Sequence, residues 1–351
     1  MSKKLLIIHL SGLGNSILFI PILRGIRNSN KELIIEMVVR EKVIIDLFDK
    51  QKLIDKWYYY ERPDNRLSRL FSRIKLFRDL SKSNYDFLIS TEIFQSINNL
   101  LAISLLKAER KIGIAKNFFY DSFYSDAINY SFDIKETIFY ENLFRRLSPD
   151  LIVTKTKLFS FHHAANKYLS NVSLNKRIVG IHAGCGKFMA HKRWESSKFK
   201  ELCSRLASLS NIQLLLFGGN EEKDLSQEIT ENIKSEDFFD FTGKLKITET
   251  AEIISKCNLF ISNDSGLMHL AALVGVSNLA IFGPTSVAKN SPLGSNSLIM
   301  HKGPCDKNSN VLCKKCIKAY KRSAKAPLCL RNVSVDEVFA ASLEILGLNH
   351  V

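Results

Sequence analysis

Residues 259–283, "LFISNDSGLMHLAALVGVSNLAIFG", place two short apolar runs on either side of a helical pattern. The runs "LFISN" and "NLAIFG" predict buried strands, and "GLMHLAALVG" between them predicts a helix. A strand, a helix and a strand in this order form a βαβ unit, because the helix carries the chain back to the edge where the next parallel strand begins. The stretch therefore predicts a parallel sheet covered by helices, an α/β fold.

The same alternation continues outward along the chain. The second half adds the strands "RIVGIHA" and "IQLLLFG" and helices from about Ser197 and Glu221. The first half has strand patterns at 4–10, 33–39 and 87–90 and helical patterns at 16–28, 67–82 and 97–106. A polar stretch of weak pattern, 162–176, separates the two series. We therefore expect two Rossmann-like domains facing each other across a cleft, residues 1–165 and 176–351.

Composition places the chain among ordinary globular proteins, with 351 residues, 46% hydrophobic and 24% charged. The start "MSKKLLIIHLSGLG" predicts a first strand rather than a signal peptide, because its apolar run is short and ends in a glycine turn. A cytoplasmic location is therefore expected. The net charge of +15 indicates an anionic partner: nucleic acid, anionic lipid or a phosphorylated glycan. Nucleic acid is not expected, since the basic residues do not interleave with a recognisable binding module.

Ligand chemistry is expected where the strands end, because the crevice of an open α/β sheet forms there and helix N-termini point free N–H groups into it. Four segments of the second half follow strands or precede helices: "HAGCGKFMAHKRW", "FGGNEE", "FTGKLKITET" and "SNDSGLMHLAALVG". They offer glycine backbone donors, cations and acids, which suit a nucleotide diphosphate and its sugar. Each also has a plainer interpretation: tight glycine turns, a helix cap at Asp264 and Ser265, a half-buried His269 and a core Trp194.

The order of these segments, together with "GLGNSILFIPIL" near the start, resembles glycosyltransferase family 9, the heptosyltransferases of lipopolysaccharide assembly. The resemblance spans about residues 4 to 345 and is most specific over 264–285. It implies a GT-B fold and a metal-independent, inverting transfer of heptose from a nucleotide-sugar donor, ADP-heptose, to a lipopolysaccharide core or other glycan acceptor. It also implies that the C-terminal domain binds the donor, that the N-terminal domain binds the acceptor, and that the helix "SVDEVFAASLEIL" returns to the domain junction.

Site residues follow from the same resemblance. Lys192 matches the lysine that neutralises donor phosphate, Glu221 the acid that holds nucleoside hydroxyls, and Asp264 the acid that contacts the sugar. The remaining donor-binding positions are Gly184 and Gly186 in the glycine loop and Ser265, Gly266, Leu267 and His269 at the helix start. An enzyme of this kind must stabilise the leaving diphosphate with lysine charge and helix N–H groups. No cofactor is expected to be required for catalysis.

The N-terminal turn has Asn15 where the family usually has the aspartate that takes the acceptor proton. Gly12, Gly14 and Asn15 are the expected acceptor-binding residues, and an amide cannot act as a base at neutral pH. Glu92 follows the strand pattern at 87–90 and should reach the same edge of the sheet, so we expect Glu92 to be the base and Asn15 to orient the acceptor. The alternative for Glu92 is an acid favoured by a helix N-terminus. The alternatives for the protein are a catalytically silent nucleotide-sugar binder or a transferase for a different sugar.

A basic, amphipathic helix is predicted over 67–82. Seven basic residues lie between Arg62 and Lys82, against two acids. These cations would lie against an anionic glycolipid or glycan at the cytoplasmic face of the inner membrane, giving peripheral membrane contact. The other interpretation is a solvated surface helix with its apolar stripe in the domain core, and the two are compatible.

Four of the seven cysteines fall close together near the C-terminus, as Cys305, Cys313, Cys316 and Cys329. Four thiolates suit zinc or iron, and one C-x2-C pair is present. The spacing differs from a regular zinc ribbon with two such pairs. Two interpretations therefore stay open, a structural zinc or iron site and unpaired reduced thiols.

Overall fold

Two parallel six-stranded sheets carry the chain, one in each of two compact units, Met1–Thr156 and Lys157–Val351. The structure is a computed structural model. It describes residues 2–61, 63–92, 97–115, 122–131, 134–153, 159, 161, 165–170, 172–173, 175–186, 189–231, 233, 236–294, 296–303 and 313–348.

The first unit alternates strands and helices as predicted. Its strands are β1 (Lys4–Ile8), β2 (Ile34–Val39), β3 (Lys56–Tyr59), β4 (Tyr85–Ser90), β5 (Ala108–Ala115) and β6 (Asp126–Asn129). Its described helices are α1 (Leu13–Ser29), α2 (Lys42–Phe48), α3 (Arg66–Leu80), α4 (Ile97–Leu105) and α5 (Glu136–Arg145). All strand pairs are parallel, in the order β3-β2-β1-β4-β5-β6.

The second unit repeats this plan. Its strands are β7 (Arg177–His182), β8 (Ile212–Leu216), β9 (Phe238–Asp240), β10 (Leu259–Asn263), β11 (Asn278–Ile281) and β12 (Ser297–Met300). Its described helices are α6 (Asn166–Leu169), α7 (Ser196–Ala207), α8 (Lys223–Thr230), α9 (Ile247–Ile254), α10 (Gly266–Leu273), α11 (Val287–Asn290), α12 (Lys314–Ser323), α13 (Leu328–Arg331) and α14 (Val335–Leu346). The sheet order is β12-β11-β10-β7-β8-β9, again all parallel.

Both sheets therefore have the strand order of a Rossmann fold, counted from the first strand of each unit. In such a sheet the order reverses next to the first strand, between β1 and β4 in one unit and between β7 and β10 in the other. Neighbouring loops leave the sheet in opposite directions at that point, which opens a crevice outside the carboxyl ends of the strands. The fold thus predicts one ligand site in each unit.

The core explains why the central strands were visible in the sequence. β1, β8 and β10 are buried along nearly their whole length, so they appear as continuous apolar runs. The edge strands β3, β6, β9 and β12 and the strand β5 were not predicted, because they are partly exposed and lack such a run. The C-terminal helix α14 begins with a capping box between Ser334 and Glu337.

Helix α3 forms where the basic amphipathic helix was expected, but most of its apolar stripe lies outside the core. Leu67, Leu70, Phe71 and Ile74 are 67%, 53%, 68% and 54% exposed, whereas Leu80 is buried. The core interpretation of the stripe therefore applies to its C-terminal end alone. Among the described residues, none of the helices combines the length and the apolar character that a membrane span requires.

Candidate active site

Three loops of the second unit meet where β7, β8 and β10 end. His182 is the last residue of β7 and precedes the glycine loop of Gly184 and Gly186. Glu222 is the last residue of a short 3-10 helix, Asn220–Glu222, which follows β8. Asp264 follows β10 and directly precedes the start of α10. Strands that are distant in sequence thus bring three loops to one crevice.

Glu222 joins three of these segments. Its Oε1 accepts a hydrogen bond from the backbone N–H of Gly186, and its Oε2 accepts one from that of Gly219, each at 3.0 Å. Oε2 also lies 3.0 Å from Nε2 of His182, whose Nδ1 is 2.9 Å from the hydroxyl of Ser265. Burial alone would raise the pKa of Glu222, but His182 and the two N–H groups outweigh burial and lower it to about 2. The carboxylate is therefore charged and braces the loop.

Gly184 is required by this arrangement. A Cβ atom at position 184 would lie 1.8 Å from Glu222 Oε1, well inside van der Waals contact. The carboxylate can reach the loop backbone because this residue has no side chain.

The expected nucleoside ligand, Glu221, lies beside Glu222 but is exposed, while Glu222 is 5% exposed. The structure thus separates two adjacent acids, one facing solvent and one holding the glycine loop. Neither Glu222 nor His182 was predicted from the sequence. The signal available for His182 was its place at the end of the strand "RIVGIH".

Lys192 and Asp264 form an ion pair, with Nζ 2.8 Å from Oδ2. The same carboxylate oxygen accepts a hydrogen bond from the Thr285 hydroxyl at 2.7 Å. Burial would raise the pKa of Asp264, but Lys192 and Thr285 more than compensate, so its pKa lies below the ordinary range. An ammonium group has three N–H donors, and Asp264 takes one of them. Lys192 can therefore contact an anion while it stays paired with Asp264.

The start of α10 supplies backbone donors next to this pair. Ser265 caps the helix, its hydroxyl accepting from the backbone N–H of Met268. Gly266 and Leu267 lie in the first turn and are half-buried, whereas His269 is buried at 4% exposure. The first N–H groups of a helix have no intrahelical partner and attract anions.

Asn263 and Trp194 hold the lysine segment against the sheet. Asn263 donates to the carbonyl of Ala183 at 2.7 Å and accepts from the backbone N–H of Trp194 at 2.9 Å. The Trp194 side chain is 1% exposed and donates to the carbonyl of Val333. Trp194 is thus a core residue, and it fixes the turn that carries Lys192.

In the first unit, Glu92 lies at the N-terminal turn, as the strand order requires. Gly12 is the N-cap of α1, and Gly14 and Asn15 lie in the first helical turn. Oε1 of Glu92 accepts from the backbone N–H of Leu10 at 2.6 Å. Burial raises the pKa of Glu92, and this hydrogen bond only partly counteracts the rise. A carboxylate with a raised pKa is a stronger base than an exposed one.

A second acid at this turn, Glu41, was not identified from the sequence. It follows β2 and accepts a hydrogen bond from the backbone N–H of Leu13. Burial raises its pKa as well. The turn that has an amide at position 15 is therefore flanked by two carboxylates from neighbouring strand ends.

The buried imidazole of His9 links the first turns of α1 to the residue that follows β4. His9 has Nδ1 2.7 Å from the Thr91 hydroxyl and Nε2 3.0 Å from the Ser16 hydroxyl, and burial lowers its pKa to about 3. It is therefore neutral.

Glu136, at the start of α5, is fully buried, and burial raises its pKa to about 7.

Of the four clustered cysteines, Cys305 lies outside the described residues. Cys313 is the N-cap of α12, Cys316 follows one helical turn later, and Cys329 is buried in α13. Within the described part of the chain, no group of three or more metal-ligating side chains is close enough to hold an ion.

The chain is similar to known proteins of one family. The model of glycosyltransferase family 9 (heptosyltransferase) matches residues 73–318. Lipooligosaccharide heptosyltransferase 2 of Campylobacter jejuni is 25% identical over 82% of this chain and 83% of the relative. Lipopolysaccharide heptosyltransferase 1 of Campylobacter coli is 24% identical over 98% of this chain and 99% of the relative.

Solved structures show the same fold. The ADP-heptose lipopolysaccharide heptosyltransferase II of Escherichia coli superimposes with a TM-score of 0.77 at 17% identity, covering 99% of this chain and 100% of that one. An iron-containing dodecameric glycosyltransferase from enterotoxigenic E. coli gives a TM-score of 0.58 at 14% identity, covering 99% and 76%. The expected GT-B fold and the resemblance stated from the sequence are both confirmed.

Proposed function

The chain belongs to glycosyltransferase family 9, the heptosyltransferase family, and we propose that it moves heptose from ADP-heptose to a lipopolysaccharide core or related glycan with inversion. The observation that carries this proposal is that each sheet has charged side chains and a helix N-terminus together at the point where its strand order reverses. Relatives aligned with nearly the whole chain are lipopolysaccharide heptosyltransferases. A catalytically silent homologue and a transferase for another sugar are the alternatives, and the comparisons do not favour the first.

The donor is proposed to bind in the second unit. Lys192 and the first N–H groups of α10 neutralise the diphosphate, and their charge stabilises it further as it leaves. Asp264 contacts the sugar and positions Lys192. Glu221 is exposed and able to hold the nucleoside hydroxyls, while Glu222 keeps the glycine loop in shape.

The acceptor is proposed to bind in the first unit, against Gly12, Gly14 and Asn15. Asn15 orients the acceptor hydroxyl by hydrogen bonding, and Glu92 takes its proton as the oxygen attacks the anomeric carbon. The bond between that carbon and the diphosphate breaks as the new bond forms. The buried setting of Glu92 supports this role, since burial raises its pKa and so makes the carboxylate a stronger base.

The test combines three variants with a panel of nucleotide sugars. Glu92→Gln should lower turnover about 100-fold, Asn15→Asp should leave or raise it, and Glu41→Gln, at the matched acid on the same turn, should retain it. Product mass identifies the sugar transferred. Normal turnover in Glu92→Gln would overturn the assignment of the base, and a large loss in Glu41→Gln alone would move the role to Glu41. Absence of transfer by wild type and Asn15→Asp with every donor would favour the silent binder.

The acceptor is proposed to be anionic and anchored in the inner membrane, with the enzyme in peripheral contact at the cytoplasmic face. The net charge of +15 and the basic helix α3 support this proposal. Nucleic acid is not proposed as a partner.

Cys305, Cys313, Cys316 and Cys329 are proposed to bind one structural zinc or iron ion, which would have to bring Cys313, Cys316 and Cys329 closer together than the structure places them; reduced thiols without a metal are the alternative. Cys313 is the N-cap of α12 and Cys316 follows in its first turn, and a helix N-terminus favours thiolate. The iron-containing glycosyltransferase of similar fold supports iron as a candidate. When bound, the metal would tie α12 to α13, and no step of the transfer uses it.

A further inference from the structure

A cavity of about 410 Å³ lies in the first unit between the sheet and helices α3 and α4. Most of its lining is apolar, including Ile8, Val38, Phe77 and Ile103. Protein interiors are close-packed and rarely contain voids larger than a water molecule. A cavity of this size and polarity is typical of a site for a small apolar ligand.

The mouth of the cavity is apolar and faces solvent. Leu70 and Ile74 line the cavity, yet both are more than half exposed. Further exposed apolar side chains extend the same two helices: Leu67 and Phe71 on α3 and Ile97, Leu101 and Leu105 on α4. Contiguous apolar surface of this kind marks an interaction site in soluble proteins.

Cations accompany this apolar surface. Helix α3 carries five basic residues, Arg66, Arg69, Arg73, Lys75 and Arg78, against one acid, Asp79. Among the described residues, the acid forms its ion pair with Lys82, beyond the end of the helix. Arg73 lines the cavity itself and donates to the Tyr60 hydroxyl at 2.9 Å.

Aromatic residues complete the surface beside α3. Trp57 and Tyr59 of the edge strand β3 line a groove that also contains Phe71. Tyrosine and tryptophan are favoured at the level of lipid headgroups, because their rings are apolar and their polar atoms reach water. Apolar side chains, cations and interfacial aromatics together match an anionic bilayer surface.

We propose that this surface binds an anionic lipid, with one acyl chain in the α3–α4 cavity and the headgroup among the cations of α3. Leu10 and Glu92 also line the cavity, so a lipid held there lies beside the proposed acceptor turn. The inference rests on the proposed membrane contact and deepens it, because it names the class of lipid and the cavity that takes an acyl chain.

Vesicle sedimentation tests the surface, without donor or acceptor. Wild type should bind phosphatidylglycerol vesicles and bind phosphatidylcholine vesicles at least ten-fold more weakly. Leu67→Ser combined with Phe71→Ser should weaken binding at least ten-fold, whereas Ile152→Ser, at an equally exposed apolar residue of the same unit, should not. Equal binding by wild type and the double variant would overturn the proposal.

Calorimetry with monomeric dihexanoyl-phosphatidylglycerol tests the cavity. The acylated lipid should bind, and glycerophosphoglycerol should bind at least ten-fold more weakly. Ala102→Phe, which fills the cavity, should bind the two ligands with equal affinity. Leu70→Trp at the exposed mouth gives a second variant in case Ala102→Phe does not fold. Equal affinity for both ligands, or unchanged lipid affinity in both variants, would show that the cavity takes no acyl chain. Sugar transfer is measured separately, with the panel of nucleotide sugars and the product mass, so failure of lipid binding leaves the proposed function standing.

Discussion

Glu222→Gln isolates the carboxylate that shapes the proposed donor loop. Glu222 is almost fully buried and accepts from the N–H groups of Gly186 and Gly219 while facing His182. Glutamine keeps the size and shape of the side chain but replaces one oxygen with an N–H donor. At least one backbone N–H would then face another donor.

Two estimates of the stability lost in Glu222→Gln agree. A buried donor left without an acceptor costs about 1–3 kcal/mol. The pKa of Glu222, lowered to about 2 from an ordinary 4.5, corresponds to roughly 3 kcal/mol of stability from the ionised form. We expect Glu222→Gln to lower the free energy of unfolding by about 2–3 kcal/mol, or roughly 4–12 °C in melting temperature for a unit of this size.

The lowered pKa of Glu222 also predicts how the loss of stability depends on pH. Because the pKa is lower in the folded protein, the stabilisation is complete above about pH 4.5 and is lost as the pH falls towards 2. Urea unfolding at pH 7 and at pH 4 should therefore show a smaller difference between wild type and variant at the lower pH. Glu221→Gln is the matched control, since its exposed side chain should change stability by less than about 0.5 kcal/mol.

The reasoning would be refuted if Glu222→Gln were as stable as Glu221→Gln at pH 7. A deficit that stayed constant down to pH 3 would also refute it, since the loss would then not come from the charge. Donor affinity separates the two acids further: Glu221→Gln should weaken donor binding in a folded protein if Glu221 holds the nucleoside hydroxyls.

Removing Lys192 should weaken donor binding by about 1.5–3 kcal/mol, the usual strength of a charge-assisted hydrogen bond; calorimetry with ADP and the control Lys200→Ala would check it, and unchanged affinity would exclude a phosphate contact. Glu136 is protonated more readily in the folded state because burial raises its pKa to about 7, so wild type should lose roughly 3 kcal/mol of stability between pH 4.5 and 8. Urea unfolding should show that Glu136→Gln lacks this loss, and parallel pH profiles would contradict it. Purified protein should contain close to one zinc or iron per chain, and the double variant Cys313→Ser, Cys316→Ser should release it and melt at a lower temperature; elemental analysis that finds no metal beside freely titrating thiols would exclude the site.

The order of the elements was available from the sequence. The buried central strands are continuous apolar runs and the helix of 266–273 lies between two of them, so local periodicity and burial predict the parallel sheets. The motif around Asp264 was specific enough to indicate the family, which the family comparison confirms. The edge strands were missed because a half-exposed strand has no continuous apolar signal.

Long-range contacts were beyond the reach of such patterns. The local sequence does not distinguish Glu221 from Glu222. Glu222 is buried because the glycine loop after β7 packs against it, whereas Glu221 is exposed. Glu92 meets Leu10 across 82 positions, and Glu41 reaches the same turn from β2 because β1 lies between β2 and β4. The exposed stripe of α3 has the same periodicity as a buried one, so its environment depends on what the rest of the chain packs against it. Periodicity records how each segment alternates between core and solvent, while strand order and helix packing select which distant side chains share a site.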